Sequence, residues 1–567
     1  MLISLSCIDI SLYLHLFLKR ANAHKECEKY MRSLFKTLLF IIFVTIIALV
    51  MVNVFHQEDN YNLKFESLRH KYALKDIPSV NHSKLTALQR DFKTPQEVTE
   101  ACLSCHTETH KEVMASSHWN WERVSYVEGR GISSAGKKNV MNNFCLGTNS
   151  NQQSCAKCHI GYGMSSSHFD FNNARNVDCM VCHDNSEEYL KGASMAGYPD
   201  RTVNLENVAQ SVGSPRKSNC GSCHSFGGGG NNVKHGDLEV ALNSCSREVD
   251  IHMAANGMNL ECVACHTAKN HNIIGKLYSV SSDNTNRVNC EQCHTSTPHL
   301  SDVINRHGSR VSCQACHIPV YAKVNSTKMS WNWSDAGKLK DGKPYEEEDS
   351  LGNHNYMSIK GSFVWARNVR PDYIWFNGTA DHYILGDTIK SVPVQMNTLN
   401  GSYSDRHSKI IPVKIHVGDQ IYDKVYHRLV QPKLYGETEG DSAYWKDFKW
   451  DEAVAAGMKE SGLLYSGQYG FVKTEMYWPI NHMVSPKEKA VGCAECHTRN
   501  NGRLAKLTGF YLPGRDQNKP LDFLGYWMFV FALIAVFGHA VIRISMNIAR
   551  NKFEKQIINY DEDKPTE

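Results

Sequence analysis

Two long apolar segments lie near the ends of this chain of 567 residues. Residues 34–55 are almost continuously apolar, and residues 521–544 form a second run of the same kind. Each run is long enough to cross a bilayer as a helix. The region between them mixes short apolar groups with glycine and polar residues. The pattern therefore predicts N- and C-terminal transmembrane helices that flank one large polar domain at residues 57–518.

The charges beside these segments predict their orientation. Basic side chains precede the first segment and acidic ones follow it, whereas Arg543 and Arg550 follow the hydrophobic part of the second. Basic residues favour the cytoplasmic side of a bilayer. Residues 1–33 and 545–567 are therefore expected in the cytoplasm, and residues 57–518 in the periplasm, of a bacterium whose cytoplasmic membrane holds both helices.

Two features of these segments leave alternatives open. No small-x-small cleavage site follows the first segment, which favours an uncleaved anchor over a removed signal peptide. Met31 could begin a signal anchor by itself, and residues 1–30 would then be a mis-assigned start. His539 lies within the second segment. A polar residue there indicates either a function shared with a partner subunit or a side chain near the cytoplasmic interface.

The cysteines determine the chemical class. Sixteen of the 20 cysteines fall in eight Cys-x-x-Cys-His motifs. In chain order these are Cys102/Cys105/His106, Cys155/Cys158/His159, Cys179/Cys182/His183, Cys220/Cys223/His224, Cys262/Cys265/His266, Cys290/Cys293/His294, Cys313/Cys316/His317 and Cys493/Cys496/His497. Such a motif attaches haem c through two thioethers, and its histidine ligates the iron. Disulfide frameworks and zinc ribbons do not need that histidine. The sequence predicts eight covalently bound haem c groups in an exported domain.

The motifs are unevenly spread along the chain. Seven occupy residues 102–317, which leaves little room for an apolar core, so neighbouring haems are expected to pack together. Residues 318–490 carry no motif and are rich in Trp, Tyr and Gly, which indicates loops and short strands before a helix over Trp445–Leu464. The predicted fold class is mainly α with extensive loops, packed around eight haems. The net charge of +4 contains no dense basic block, so no nucleic-acid partner is expected.

A haem that only transfers electrons usually takes a second strong ligand, commonly histidine, whereas a haem that reacts needs an open or weakly held position. Six histidines lie at positions typical of such distal ligands: His118, His252, His271, His299, His307 and His482.

The glycine-rich stretch at residues 225–238 differs from these. Four consecutive glycines allow the backbone to approach a macrocycle closely, and Lys234 and His235 follow them. A lysine amine can ligate iron once it is desolvated and deprotonated, although an ordinary solvent-exposed lysine gives the same pattern. Cys145 lies outside every motif, and pairing with Cys245 and a free reactive thiol explain it equally well.

Several segments resemble the octahaem tetrathionate reductases. The shared features are the order of the eight motifs and the stretches HWNWE (118–122), NNFC (142–145), CHIGYG (158–163), FDF (169–171), GGGGNNVKHGDL (227–238), RHGSRVSCQACHIP (306–319) and WPINH before the last motif. The resemblance covers roughly residues 100–500. It implies a mostly helical, haem-packed domain related in arrangement to multihaem nitrite reductases and hydroxylamine oxidoreductases.

The resemblance also implies the site residues. The haem held by Cys155, Cys158 and His159 would be the active site, with Lys234 as its distal ligand and Cys145 beside it. The other seven haems would each have two histidine ligands. His235 is the choice for the seventh distal histidine, with His168 and His416 as rivals.

The implied reaction is the reduction of tetrathionate to thiosulfate, with nitrite and hydroxylamine as further substrates. The two membrane segments depart from soluble members of the family, and they indicate quinol or a membrane cytochrome as the electron donor. A non-catalytic electron conduit between the quinone pool and a periplasmic acceptor is the alternative.

Overall fold

The computed structural model describes residues 35–50, 80–127, 129–144, 147–275 and 284–562, with side chains up to residue 554. The chain divides into two compact units, Met1–Lys75 with Met258–Leu260, and Asp76–Gly257 with Glu261–Glu567. In the first unit, the apolar helix α1 (Phe35–Val50) lies in the predicted N-terminal span, and its side chains are exposed. The rest of that predicted span lies outside the described residues.

The second unit holds the remaining helices, most of them short. They are α2 (Pro95–Leu103), α3 (Thr109–Met114), α4 (Ser117–Asn120), α5 (Gln152–Cys155), α6 (Met180–His183), α7 (Leu205–Gln210), α8 (Lys217–His224), α9 (Cys262–Cys265), α10 (Asp302–His307), α11 (Cys313–His317), α12 (Tyr444–Asp447), α13 (Trp450–Glu460), α14 (Cys493–Cys496) and α15 (Lys519–Glu562). The 3₁₀ turns are His82–Lys84, Thr86–Leu88, Ala156–Cys158, Ala174–Asn176, Val240–Asn243, Cys290–Gln292, Trp333–Asp335 and Lys487–Lys489.

The attachment motifs explain why several of these helices are so short. In α8, α9, α11 and α14 the two motif cysteines lie on one helical turn. Residues three apart in a helix share a face, so a single turn presents both sulfurs in the same direction. Longer helices would add apolar faces that need partners, and the chain instead ends these helices at or next to the motif histidine.

The predicted mainly α fold class holds only in part, because the region after the seventh motif, where loops and short strands were expected, forms a large sheet. The strands are β1 (Glu122–Val127), β2 (Gly131–Gly136), β3 (Ala268–Lys269), β4 (Asn272–Ile273), β5 (Thr327–Asn332), β6 (Glu346–Glu348), β7 (His354–Met357), β8 (Gly361–Ala366), β9 (Asp372–Phe376), β10 (Ala380–His382), β11 (Val394–Gln395), β12 (Asn397–Leu399), β13 (Lys409–Asp423), β14 (Arg428–Leu429) and β15 (Tyr469–Pro479). Nine of them form one sheet in the order β11-β15-β13-β5-β8-β7-β6, with β9 and β14 also paired to β13.

The central strand β13 forms because its sequence alternates apolar, β-branched residues with polar ones. Such residues favour a pleated, half-buried surface. β13 pairs antiparallel with β15 from Val413↔Pro479 to Asp423↔Tyr469, and parallel with β5 around Gly418↔Trp331. It is buried on both faces, since Lys414, His416 and Gln420 on one side are as inaccessible as Val413 on the other.

The predicted helix over Trp445–Leu464 is two helices rather than one. Helix α12 ends at Asp447, its C-cap Phe448 has a left-handed φ of 54°, and α13 begins at Trp450. The ring of Trp450 stacks on Tyr444 at 3.6 Å, and α13 packs its buried face on the core of the sheet. Helix α15 is apolar enough over Lys519–Glu554 to cross a membrane, and it is unburied over its most apolar window.

Candidate functional site

Seven of the eight motif histidines each lie opposite a second histidine. The ring centroids of all seven pairs are 6.0–6.4 Å apart. The pairs, motif histidine first, are His106 with His82, His183 with His271, His224 with His118, His266 with His482, His294 with His252, His317 with His299, and His497 with His307.

This separation is the one that two axial ligands of a single iron require. A metal–imidazole bond of about 2.0 Å, with about 1.1 Å from the nitrogen to the ring centre, places two opposed rings about 6 Å apart. Direct ring stacking would bring the centroids closer, as in the 3.8 Å pair of Phe144 and His416. The residues present therefore fit haem c with two histidine ligands at seven motifs.

The orientation of these rings supports the same interpretation. The Nδ1 atoms of His183, His266, His307 and His497 lie 2.8–2.9 Å from backbone carbonyl oxygens. The Nδ1 of His271 lies 2.9 Å from the Glu112 carboxylate. A hydrogen bond at Nδ1 fixes the tautomer and leaves Nε2 for a metal.

The structure does not bring His235, the choice for the seventh distal histidine, opposite a motif histidine. The ring opposite His106 belongs to His82, whereas the His235 ring lies against Trp478 at 5.0 Å. The rivals are not placed there either, because His168 is exposed and His416 is buried against Phe144.

Sequence reasoning missed His82 because it lies in a polar segment before the first motif. The available signal is local: His82 begins a 3₁₀ turn whose N-cap, Asn81, accepts a hydrogen bond from the Ser83 amide at 3.1 Å. That cap orders a segment whose composition resembles a linker. The turn packs beside α7, and the nearby Leu88 belongs to a buried cluster.

The attachment sulfurs show how the eight sites follow one another. In four pairs of attachment cysteines, each member is the largest influence on the pKa of the other, so the two sulfurs are neighbours: Cys102 with Cys179, Cys158 with Cys223, Cys220 with Cys262, and Cys290 with Cys313. Electrostatic interactions link Cys182 with Cys220, Cys265 with Cys293, and Cys316 with Cys496. The sites therefore run in the order one, three, four, five, six, seven and eight, and the second site branches from the fourth.

The second motif has different surroundings from the other seven. Its histidine, His159, is fully buried, and its ring contacts are with Trp119, Trp121, Phe169 and Phe171 at centroid distances of 5.0–6.2 Å. Unlike His183, His266 and His497, its hydrogen-bonded ring atom is Nε2, which lies 2.9 Å from the Trp119 carbonyl oxygen, and its Nδ1 has no hydrogen-bond partner among the described residues. Among the described residues, no histidine ring lies opposite it. The second motif is therefore the one attachment site at which the described residues place no second histidine opposite the motif histidine.

Lysine side chains surround the second motif. The pKa of the Cys158 thiol is lowered to about 6, first by the hydrogen bond with Cys223 and then, against the effect of burial, by the charges of Lys137, Lys191 and Lys234. The charges of these three lysines therefore act at the second motif, although the neighbouring Cys223 has the larger effect on this thiol. The Lys234 ammonium lies 4.7 Å from the centroid of Trp478. These charges favour an anion near this site.

A buried ion pair also supports the second motif. The Lys191 ammonium lies 3.0 Å from an oxygen of Asp178 and also donates to the carbonyl oxygen of His159. The same carboxylate accepts hydrogen bonds from the hydroxyls of Tyr162 at 2.8 Å and Tyr189 at 2.7 Å. Asp178 directly precedes the third motif, so this network ties the second and third sites together.

The NNFC segment packs against one face of β13. Phe144 stacks on His416, and the Asn143 amide donates to the His416 carbonyl oxygen at 2.8 Å. Neither ring nitrogen of the buried His416 has a hydrogen-bond partner among the described residues. Cys145 itself lies outside the described residues. Its alternative partner Cys245 is buried, and its thiol contacts the Asp250 carbonyl oxygen at 3.9 Å.

Three comparisons bear on the identity of this site. The family described as bacterial cytochrome c matches residues 328–500. An uncharacterised protein of Archaeoglobus fulgidus is 24% identical, over 34% of this chain and 80% of its own length. The crystal structure of octahaem cytochrome c from Shewanella oneidensis is 41% identical, with a TM-score of 0.69, and the match covers 74% of this chain and 94% of that one.

The match to nearly the whole of the Shewanella structure agrees with the motifs and the paired histidines. The predicted class, a multihaem c-type cytochrome that binds haem c covalently and transfers electrons, is confirmed. This chain belongs to the octahaem c-type cytochrome family.

Proposed function

We propose that this chain is a membrane-anchored periplasmic reductase whose reduction site is the second attachment motif, with Lys234 as its distal ligand. One observation carries the proposal. His159 is the one motif histidine with no histidine opposite it among the described residues, and the charge of Lys234 reaches the adjacent Cys158. When bound, the haems would carry single electrons, and an iron with a displaceable ligand would deliver them to a substrate.

The paired histidines suit the remaining seven sites to electron transfer. Two fixed imidazoles leave no position for a substrate at those sites. The order of the attachment sulfurs gives a continuous path that ends at the second site through the fourth. Lys234 differs from an imidazole because an amine that leaves the metal gains a proton and is then a cation beside the substrate.

The positive surroundings favour an anionic substrate, and tetrathionate is the proposed one. Two electrons cleave its central S–S bond and give two thiosulfate ions, and no proton is consumed. Lys137 and Lys234 would bind the sulfonate groups through charge-assisted hydrogen bonds. Cys145 would take part by thiol–disulfide-type exchange with a sulfur of the substrate. Nitrite and hydroxylamine are proposed as further substrates.

Helix α15 supports the proposed attachment of the protein to a membrane. Its apolar part is long enough to span a bilayer, and Arg543 and Arg550 lie at its C-terminal side. That arrangement anchors the cytochrome on the outer face of the cytoplasmic membrane. Quinol or a membrane cytochrome would then supply the electrons. A chain that carries a cleavable signal peptide in place of residues 1–56 and ends at Gln517 should be released from membranes. It should still oxidise a reduced viologen dye with tetrathionate.

The reduction site is tested with a Lys234→Ala variant of the full chain. We expect one haem of eight to change from low spin to high spin in the oxidised protein, and tetrathionate turnover to fall. Lys137→Ala is the matched control, because it removes a nearby charge on an exposed side chain. It should raise the KM for tetrathionate and leave the spectrum unchanged. An unaltered spectrum with full turnover in Lys234→Ala would remove the proposal.

A non-catalytic conduit is the second candidate, and α15 with His539 in its apolar part favours it. That function requires eight irons with strong, non-exchangeable ligands. Mixing the reduced protein with tetrathionate, nitrite and hydroxylamine in turn separates the two candidates. Reoxidation by any of the three supports the reductase, whereas a protein that stays reduced with all of them supports the conduit.

A further inference from the structure

The side chain of Lys414 joins the sheet to the glycine-rich loop. Lys414 lies on β13 and is fully buried. Its ammonium donates to the carbonyl oxygens of Val233 at 2.9 Å and of Lys234 at 3.0 Å, and to the hydroxyl of Thr327 at 2.6 Å. The Thr327 hydroxyl in turn donates to the Asn232 carbonyl oxygen at 2.6 Å. Three consecutive carbonyls of the loop are thus fixed from the sheet.

The stem of Lys414 also packs along the loop. Gly236 has a φ of +87°, and a Cβ added there would lie 2.8 Å from the ring of Tyr321 and 3.2 Å from the Cδ of Lys414. On the other side of Lys234, a Cβ added to Gly227 would lie 3.1 Å from the Cδ of Lys234. Glycine at both positions lets the loop close on these two side chains, which sets the direction of Lys234.

A buried ammonium at this position is costly. Removing a cation from water costs several kcal/mol even after relaxation of the surroundings. Among the described residues, no carboxylate lies within ion-pair distance of Lys414. Burial lowers the pKa of this lysine, and the charge of Asp237 opposes the shift. Two of its three hydrogen bonds go to carbonyl oxygens of the glycine-rich loop, and the third goes to the Thr327 hydroxyl, which itself donates to that loop. The role of the side chain is therefore directed at that loop.

We propose that Lys414 is a positioning residue of the reduction site. By holding the carbonyls of Val233 and Lys234, it aims the Lys234 amine at the position opposite His159. The inference rests on the proposed function, in which Lys234 is the distal ligand of the second haem. Without the clamp, the loop carbonyls would turn and the amine would spend less time on the metal. Lys414 itself does not touch the substrate.

The sheet supplies a matched control in Lys328. This lysine is also buried, at 5% exposure. Its ammonium lies over aromatic rings, 4.0 Å from the centroid of Trp331 and 3.5 Å from that of Phe363. It lies on β5, next to Thr327. Loss of its charge therefore tests for a general effect of a buried lysine in the same sheet.

The experiment compares Lys414→Met and Lys328→Met in the full chain with all haems attached. Methionine keeps the length of the stem and removes the ammonium. We expect Lys414→Met to convert the same single haem as Lys234→Ala, seen by electron paramagnetic resonance as one high-spin haem in eight. Lys328→Met should have the same spectrum as the wild-type protein, even if the variant unfolds at a lower temperature.

The outcomes separate this inference from the proposed function. A changed spectrum in Lys234→Ala with an unchanged one in Lys414→Met refutes the clamp and leaves Lys234 as the ligand. No change in either variant refutes the ligand assignment, and the clamp with it. If Lys414→Met does not fold, Thr327→Val removes the hydroxyl between Lys414 and the Asn232 carbonyl. It should give a partial conversion of that haem, and an unchanged spectrum in this variant also refutes the clamp.

Discussion

The assignment of His82 as a ligand can be tested against the assignment that the sequence alone favoured. We expect His82→Ala to open one axial position, at the haem attached through Cys102 and Cys105. We expect His235→Ala to open none, because His235 packs on Trp478 and lies opposite no motif histidine. The two substitutions remove the same functional group, and sequence reasoning chose His235 and did not consider His82.

The expected magnitude follows from the geometry. The ring centroids of His82 and His106 are 6.4 Å apart, within the range of the other six pairs. Alanine at position 82 leaves the iron with His106 alone, and water then occupies the open face. One haem in eight should become high spin at room temperature, with the other seven unchanged. The open position should also allow that haem to bind an external ligand such as cyanide or imidazole.

The assay is absorption and electron paramagnetic resonance of both oxidised variants, followed by titration with imidazole. Added imidazole should restore the low-spin signal of His82→Ala at a stoichiometry of one per chain. Circular dichroism of both variants controls for a general loss of fold. A high-spin haem in His235→Ala, together with a wild-type spectrum in His82→Ala, would show that the structural assignment is wrong.

Two further predictions concern groups that support the sites. Lys191→Met should lower the free energy of unfolding by about 3–5 kcal/mol, because it leaves a buried carboxylate without its cation. The double variant with Asp178→Asn should recover much of this loss in denaturant titrations, and a double variant as unstable as the single one would contradict the ion pair. Asp237→Asn removes the carboxylate that lies 3.2 Å from the Nδ1 of His482. A less basic imidazole should raise the reduction potential of that one haem in a redox titration, and eight unchanged potentials would count against it.

The sequence predicts the chemistry of this protein better than its architecture. Each attachment motif is local, since two cysteines and a histidine within five residues specify haem c by themselves. The six predicted distal histidines all lie opposite motif histidines. The pairings could not be predicted, because His482 meets His266 and His118 meets His224 only after the chain folds around several haems.

The nine-stranded sheet was missed for a related reason. Its strands are short apart from β13 and β15, and the pairing of β13 with β5 is parallel and distant in sequence. Short alternating segments indicate single strands, but they do not specify which strands pair with one another. The buried polar residues of β13 add to the difficulty, because Lys414 and His416 occupy positions where a core strand normally has apolar side chains.

Those polar residues connect the sheet to two of the haem attachment sites. Lys414 of β13 donates a hydrogen bond to the backbone of Lys234 in the glycine-rich loop. The partner strand β15 is followed closely by His482, whose Nδ1 lies beside the carboxylate of Asp237 in the same loop. Trp478 pairs with Lys414 across the two strands and contacts Lys234 from the other side. One pair of strands therefore sets a ligand at the proposed reduction site and a ligand at the fifth attachment site. A shift of these strands would alter both sites together. Substitutions in the region without motifs are therefore expected to change the spectra of the haems at these two sites.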